Sequence, residues 1–192
     1  MNKHQKLDDL EISLVDLQRQ PGAMDSFTFN VEIPEDLKVY DVEVTSSEVI
    51  DVDVNLTSVS EGVLVDLRTN FEAISQCYRC LEDVAQRYDV SVQELYYYPG
   101  MREKAIAEGD ETADEMYEIE NDTVDLGALL RDSIILELPM RMLCDEDCEG
   151  ICPHCAIPFA ELEEGHTHEI IDDRWQGLAD LAKKMQERDN GE

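Results

Sequence analysis

The chain has 192 residues, of which 43% are hydrophobic, and this suffices for one globular domain or for a domain with an appended module. Fifteen lysine and arginine residues face forty-six aspartate and glutamate residues, so the formal net charge is -31. Such a charge repels phosphate backbones and argues against an extensive nucleic-acid-binding surface, whereas basic proteins are natural partners.

The first 25 residues are predicted to form an N-terminal arm, partly helical or extended, that ends at Pro21 and Gly22. This segment has no uninterrupted apolar core and no small-residue cleavage site, so we do not expect a secretory signal. No stretch of the sequence approaches the ~18 apolar residues that a membrane-spanning helix needs. We therefore expect a cytoplasmic protein with no membrane partner, whose cysteines stay reduced.

Alternating apolar and polar residues predict a series of strands between residues 26 and 92. The apolar positions are Phe27, Phe29, Val31 and Ile33; Val42 and Val44; Val52, Val54 and Leu56; Val63, Val65 and Leu67; and Val84, Tyr88, Val90 and Val92. Consecutive strands with short connections indicate an antiparallel sheet or a small barrel.

Residues 100–123 are acidic and poor in large apolar groups, so we expect a mobile loop with at most a short strand. A helix is predicted over residues 125–138, with Asp125 as its N-cap and Pro139 as its stop. Its apolar stripe consists of Leu126, Leu129, Leu130 and Ile134.

A last helix is predicted after residue 168, with an apolar stripe of Trp175, Leu178, Leu181 and Met185. The predicted fold class is α+β, a mainly antiparallel sheet or small barrel with a C-terminal helix and a cysteine-rich zinc-knuckle module. We expect an arm at 1–25, a β domain at 26–143 that includes the acidic loop and the first helix, and a cysteine cluster with the C-terminal helix at 144–192.

Six cysteines fall into two groups, CYRC and CDEDCEGICPHC. These are Cys77 and Cys80, followed by Cys144, Cys148, Cys152 and Cys155. The C-x-x-C spacing lets two thiolates face one tetrahedral ion, so structural zinc is favoured over disulfide or redox chemistry. About 70 residues separate the two knuckles, so a shared metal would join distant parts of the fold.

Six thiolates exceed the four positions of one tetrahedral site. Knuckle spacing favours Cys77 and Cys80 together with Cys152 and Cys155 as the ligands. The alternative set replaces the last pair by Cys144 and Cys148, whose spacing is also suitable. His166 and His168 are possible substitute ligands, although two exposed histidines in a polar loop are the favoured interpretation.

An enzymatic role is not expected. A catalytic zinc usually keeps one position open for water, and an all-cysteine ligand set makes the metal a poor Lewis acid. The sequence also lacks H-E-x-x-H, G-x-S-x-G and the phosphate-binding G-x-x-x-x-G-K-[ST] motif. We therefore expect a non-enzymatic protein without a small-molecule substrate.

The segments CYRCLE, DLGALLRDSIILELPMRMLC, CEGICPHC and DDRWQGLADL together resemble the YceD family of large-ribosomal-RNA accumulation proteins, over about residues 10–183. The resemblance implies a bacterial or organelle-derived cytoplasmic protein that maintains levels of large-subunit ribosomal RNA through assembly or RNA processing. It carries over all six cysteines as metal candidates. The glycine that usually follows the last cysteine is replaced here by Ala156.

The resemblance and the charge are compatible if the protein binds basic ribosomal or assembly proteins and contacts ribosomal RNA only indirectly. Two alternatives remain open. One is direct binding or processing of ribosomal RNA, if arginines converge on one face. The candidates are Arg79, Arg87, Arg102, Arg131 and Arg141. The other is a thiol redox-regulated switch that uses two spare cysteines.

Overall fold

The computed structural model describes residues 3–45, 49–109 and 111–168, together with Leu178 and Met185. The chain forms two compact units, Met1–Cys148 and Glu149–Glu192. The boundary lies within the cysteine run, so Cys144 and Cys148 belong to the first unit.

Strands make up most of the regular structure of the first unit. They are β1 (Lys3–Lys6), β2 (Glu11–Ser13), β3 (Met24–Glu32), β4 (Lys38–Val39), β5 (Val42–Val44), β6 (Val49–Ser58), β7 (Gly62–Gln76), β8 (Asp83–Tyr97) and β9 (Thr123–Asp125). The helices described are α1 (Met101–Glu108) and α2 (Gly127–Glu137), with 3-10 turns at Leu7–Asp9, Ala113–Glu115 and, in the second unit, Phe159–Glu161.

Seven strands form one curled sheet with the order β1-β3-β6-β7-β5-β4, to which β8 adds by pairing with β7. The β1–β3 pair is parallel and the other pairs are antiparallel. Strands β2 and β9 form a separate antiparallel pair. The prediction of a mainly antiparallel sheet is confirmed.

The two-residue period of the sequence places aliphatic side chains on the inner face of the sheet. Along β6, Val52, Val54 and Leu56 are buried while the residues between them are half-buried or exposed. Helix α2 contributes to the same core through its predicted stripe, in which Leu130 and Ile134 are fully buried. Burial of these side chains supplies most of the driving force for folding of the first unit.

The longest pairing joins β7 and β8 in a hairpin with a register from Gly62 opposite Tyr97 to Gln76 opposite Asp83. Glycine is required at position 62, because a Cβ atom there would lie 2.0 Å from the carbonyl oxygen of Tyr96. The CYRC sequence occupies the connection at the far end of this hairpin, as its position between two strand-like segments predicts.

The N-terminal segment, predicted as a partly helical or extended arm, contributes two strands and buried side chains to the first unit. Strand β1 pairs with β3 and β2 pairs with β9. Leu7, Leu10 and Ile12 are buried in the hydrophobic core. Their partners lie far along the chain, and the local sequence contains no information about them.

Residues 100–123 also differ from the expected loop, since α1 lies within them. The helix buries none of its side chains, so it has no apolar stripe that would reveal it in the sequence. Its residues, MREKAIAE, are mostly strong helix formers, which accounts for the helix.

Helix α2 begins slightly later than predicted. Its N-cap is Leu126, and the carboxylate of Asp125 accepts a hydrogen bond from the N–H of Gly127 at 2.8 Å. Asp125, the residue before the N-cap, therefore accepts a hydrogen bond from a backbone N–H of the first turn. The last predicted helix lies outside the described residues, apart from Leu178 and Met185. Among the helices described, none has the length and apolar character needed to cross a membrane.

Candidate metal centres

The first cysteine group consists of Cys77, Cys80, Cys144 and Cys148, which come from two parts of the first unit. Cys77 and Cys80 lie between β7 and β8, whereas Cys144 and Cys148 follow α2. All four Sγ atoms lie within 4.8 Å of one another. The Sγ atoms of Cys77 and Cys148 are 3.9 Å apart, and those of Cys80 and Cys144 are 3.5 Å apart. The group could hold one metal ion.

These distances suit tetrahedral coordination by thiolates. A zinc–sulfur bond measures about 2.3 Å, and tetrahedral angles then place neighbouring sulfurs about 3.8 Å apart. A disulfide would need sulfurs about 2.05 Å apart, and all six cysteines are free thiols. The first cysteine group is therefore matched to a metal that prefers sulfur ligands.

Arg79 joins the hairpin to the loop that follows α2. Its Nη1 atom donates hydrogen bonds to the carbonyl oxygens of Glu146 and Cys148, at 3.0 and 2.9 Å. Next to it, the backbone N–H of Tyr78 donates to the carbonyl oxygen of Met142 at 2.9 Å. Because these bonds reach backbone atoms of the second loop, they fix where its two cysteines lie relative to the hairpin.

The thiols of the first group differ in acidity. Burial raises the pKa of Cys77, but hydrogen bonds from the backbone of Cys80, Cys144 and Arg79 outweigh burial and lower the pKa to about 6. Hydrogen bonding with Cys80 and with other neighbouring thiols raises the pKa of Cys144 to about 12. Four thiolates so close together repel one another, and a bound cation would remove that repulsion and deprotonate all four.

The second group lies in the second unit and consists of Cys152, Cys155, His166 and His168. One ligand atom from each residue lies within 4.8 Å of the others. The Sγ atom of Cys155 is 3.6 Å from Nε2 of His166, which is 2.8 Å from Nε2 of His168. Two thiolates and two imidazoles are a common ligand set of structural zinc, so this group could also hold a metal ion.

The CYRC sequence forms a tight turn around its first sulfur. The N–H of Cys77 donates to the carbonyl oxygen of Glu82 at 2.7 Å, and the N–H of Leu81 donates to the carbonyl oxygen of Cys77 at 2.9 Å. Leu81 has a φ angle of 65°, in the left-handed region. The N–H of Arg79 lies 3.5 Å from the Cys77 sulfur and donates to it.

The CPHC sequence forms the same turn in the second unit. The N–H of Cys152 donates to the carbonyl oxygen of Ile157 at 2.9 Å, and the N–H of Ala156 donates to the carbonyl oxygen of Cys152 at 2.8 Å. Ala156 has a φ angle of 57°. Since glycine adopts this backbone conformation without strain, the turn explains why glycine is the usual residue after such a knuckle.

Replacing Ala156 by glycine is expected to strengthen metal retention by the second group. The substitution removes the Cβ atom that opposes a φ of 57°, and the gain is partly offset by the greater freedom of unfolded glycine. The net effect is about 0.5–1 kcal/mol, or about two- to fivefold, in competition with a chelator. Ala160→Gly is the control, because Ala160 is not among the positive-φ residues. Equal effects of the two substitutions would contradict the expectation.

The structure groups the cysteines differently from the favoured sequence interpretation. Cys77 and Cys80 come together with Cys144 and Cys148, which is the alternative set. A second group was not foreseen, and its signal in the sequence is the H-x-H pair shortly after Cys155. His166 is half-buried and His168 is exposed, and both contribute to this group.

The fold and these two groups define a mainly β protein with two candidate metal centres. The chain belongs to the YceD family. The family model, described as "Large ribosomal RNA subunit accumulation protein YceD", matches residues 65–182, a range that includes all six cysteines.

Relatives come from several bacteria. The chain is 34% identical over 172 residues to an uncharacterized protein of Mycobacterium tuberculosis, Rv2926c, covering 90% of this chain and 81% of that protein. It is 31% identical over 165 residues to the uncharacterized protein ML1660 of Mycobacterium leprae, covering 86% and 74% of the two chains. It is 26% identical over 129 residues to the uncharacterized protein YlbN of Bacillus subtilis, covering 67% and 71%. None of the solved structures matches the chain.

Proposed function

We propose that this chain is a non-enzymatic factor in biogenesis of the large ribosomal subunit that binds basic ribosomal or assembly proteins. The family description supports a role in accumulation of the large subunit's RNA. We further propose that zinc occupies both groups as a structural ion, because their thiolate and imidazole ligands are those that structural zinc uses. Contact with ribosomal RNA is then indirect.

The observation that carries the proposed partner is an excess of carboxylates on the outer face of the sheet, where Arg68 lies opposite Asp53 but is ion-paired with Asp66 at 3.0 Å. The carboxylate of Asp53 accepts a hydrogen bond from the hydroxyl of Thr28 at 2.8 Å, and Asn30 donates to the neighbouring Asp51. Neutral donors orient these carboxylates but leave their charge in place. Together with a net charge of -31, this face attracts a basic protein surface.

Direct binding of ribosomal RNA has less support, because Arg79, Arg131 and Arg141, three of its candidate arginines, are engaged in contacts within the chain. Arg131 donates to Asp8 and Asp36 at 2.8 and 3.3 Å. Arg79 donates to two backbone carbonyl oxygens of the loop after α2. The redox alternative assumed two spare cysteines, and the two groups together use all six.

The proposal predicts salt-sensitive binding to basic proteins that does not depend on RNA. The tagged protein is incubated with the RNA-free proteins of a large ribosomal subunit at about 0.05 M and about 0.5 M salt, where the Debye length falls from about 14 Å to about 4 Å. We expect retention at low salt and at least about tenfold weaker binding at high salt. The same experiment with intact subunits, with and without RNase, tests the role of RNA. Salt-insensitive binding, or binding that RNase abolishes, would contradict the proposal.

A further inference from the structure

An open cleft lies beside the first cysteine group, within the first unit. It has a volume of about 880 Å³, and its walls are the β4–β5 hairpin and the adjoining ends of β7 and β8. Cys77 lines the cleft together with Tyr78 and Leu81, which belong to the same knuckle. The turn that presents metal ligands on one side therefore forms a wall of the cleft on the other.

Large apolar side chains are exposed in this cleft. Tyr40, Tyr78 and Leu81 are 75%, 59% and 56% exposed. Three of the twelve exposed large hydrophobic side chains of the described residues thus line a single depression. Isolated exposed apolar residues are ordinary, but a cluster in a concave surface is typical of an interaction site.

The backbone holds two of these side chains in an unfavourable conformation. Tyr40 has a φ angle of 53° and Leu81 one of 65°, in the left-handed region that bulky residues avoid. Glycine would fit both positions without strain, and the equivalent position of the other knuckle has the much smaller Ala156. Strain that persists at a surface position points to a use for the side chain itself.

The charges of the cleft select its partner. Asp41, Glu43 and Asp83 line it, against one basic residue, Lys38. The guanidinium of Arg141 lies 4.1 Å from the centre of the Tyr78 ring, so one face of that ring is already occupied and Tyr40 is the tyrosine left open to a cation of the partner. Carboxylates and tyrosine faces favour lysine and arginine side chains, whereas a phosphate backbone would be repelled.

We propose that this cleft binds an extended basic segment of a partner protein, whose lysine or arginine side chains meet the carboxylates and whose apolar side chains pack on Tyr40, Tyr78 and Leu81. The inference rests on the proposed function and specifies where the basic partner docks. It also gives the first cysteine group a role in binding, because a metal that orders the knuckle orders one wall of the cleft.

Two sets of variants test the cleft with the zinc-loaded full chain and the RNA-free proteins of a large ribosomal subunit as the probe. The double variant Tyr40→Asn, Leu81→Gly removes two apolar side chains, and both new residues tolerate the left-handed backbone. Asp83→Lys reverses a charge of the cleft, and Asp16→Lys is its control, since Asp16 is exposed in a turn outside both the large sheet and the cleft. Leu136→Ser, at an 85% exposed position, controls for loss of an apolar side chain elsewhere.

We expect the double variant and Asp83→Lys to weaken binding of the retained proteins at least tenfold at unchanged zinc content. Asp16→Lys and Leu136→Ser should change it less than threefold. A benzoylphenylalanine at position 40 should crosslink to the same proteins, and one at position 136 should not.

The outcomes separate the cleft from the proposed function. If all variants retained basic proteins equally, the cleft would not be the docking site, and the proposed function would still stand. Absence of retention by the unmodified chain would overturn both. A single-stranded oligoribonucleotide serves as a second probe. If the cleft variants weakened binding of the oligonucleotide and not of the proteins, the cleft would be an RNA site and the proposal would be wrong.

Discussion

Replacing Cys148 by serine is expected to remove one of two bound metal ions and to leave the other in place. Cys148 belongs to the first cysteine group, and the second group has four ligands of its own. Serine supplies a hydroxyl that stays protonated at neutral pH and is a poor ligand for zinc compared with a thiolate. Cys152→Ser should likewise remove one ion, and the double variant should remove both.

Metal content per chain, measured after gel filtration, distinguishes the two possible ligand sets. If Cys77 and Cys80 instead shared an ion with Cys152 and Cys155, Cys148→Ser would leave metal content unchanged. The control is His154→Ala, because His154 lies beside His168 but is not part of the second group. This variant should keep both ions.

Cys148→Ser should also strongly destabilise the first unit. The first cysteine group joins the β7–β8 hairpin to the loop after α2, and no disulfide replaces that link. Structural zinc contributes about 10–16 kcal/mol of apparent binding free energy in small domains, so its loss should lower the free energy of unfolding by about 4 kcal/mol or more. A melting curve that Cys148→Ser leaves unchanged would argue against a structural ion at this site.

Local patterns in the sequence predict elements better than they predict which elements meet. The alternation in Val52, Val54 and Leu56 is sufficient to predict β6, because a strand with one buried face needs that period. The helix over Met101–Glu108 lacks an apolar stripe, so periodicity cannot identify it. Its presence depends on backbone propensity, which is a weaker signal.

The same limit applies to the candidate metal centres. The C-x-x-C spacing predicts the tight turn, because the turn is a property of five or six consecutive residues. It does not predict that Cys77 lies 3.9 Å from Cys148, since that distance depends on where α2 packs against the sheet. The hydrogen bonds of Arg79 to the carbonyl oxygens of Glu146 and Cys148 likewise depend on this packing and cannot be predicted from spacing. Spacing alone therefore favoured a pairing of the two knuckles over the grouping observed.

Replacing Leu10 by alanine is expected to lower the free energy of unfolding by about 2–5 kcal/mol, as truncation of a fully buried leucine does. Leu10 is 0% exposed, and its carbonyl oxygen accepts a hydrogen bond from the N–H of Leu126 at 2.8 Å. The control is Val15→Ala, because Val15 is 77% exposed and its truncation should cost less than about 0.5 kcal/mol. Urea denaturation of the zinc-loaded chain measures both.

The size of this effect follows from how the N-terminal segment supports α2. A Cβ atom on Gly127 would lie 2.6 Å from the carbonyl oxygen of Leu7, so the segment and the start of the helix are in direct contact. Arg131 of the same helix forms an ion pair with Asp8 at 2.8 Å. If this segment were a detached arm, Leu10→Ala and Val15→Ala would have equally small effects. A large effect of Leu10→Ala alone would mean that the N-terminal segment is part of the hydrophobic core against which α2 packs.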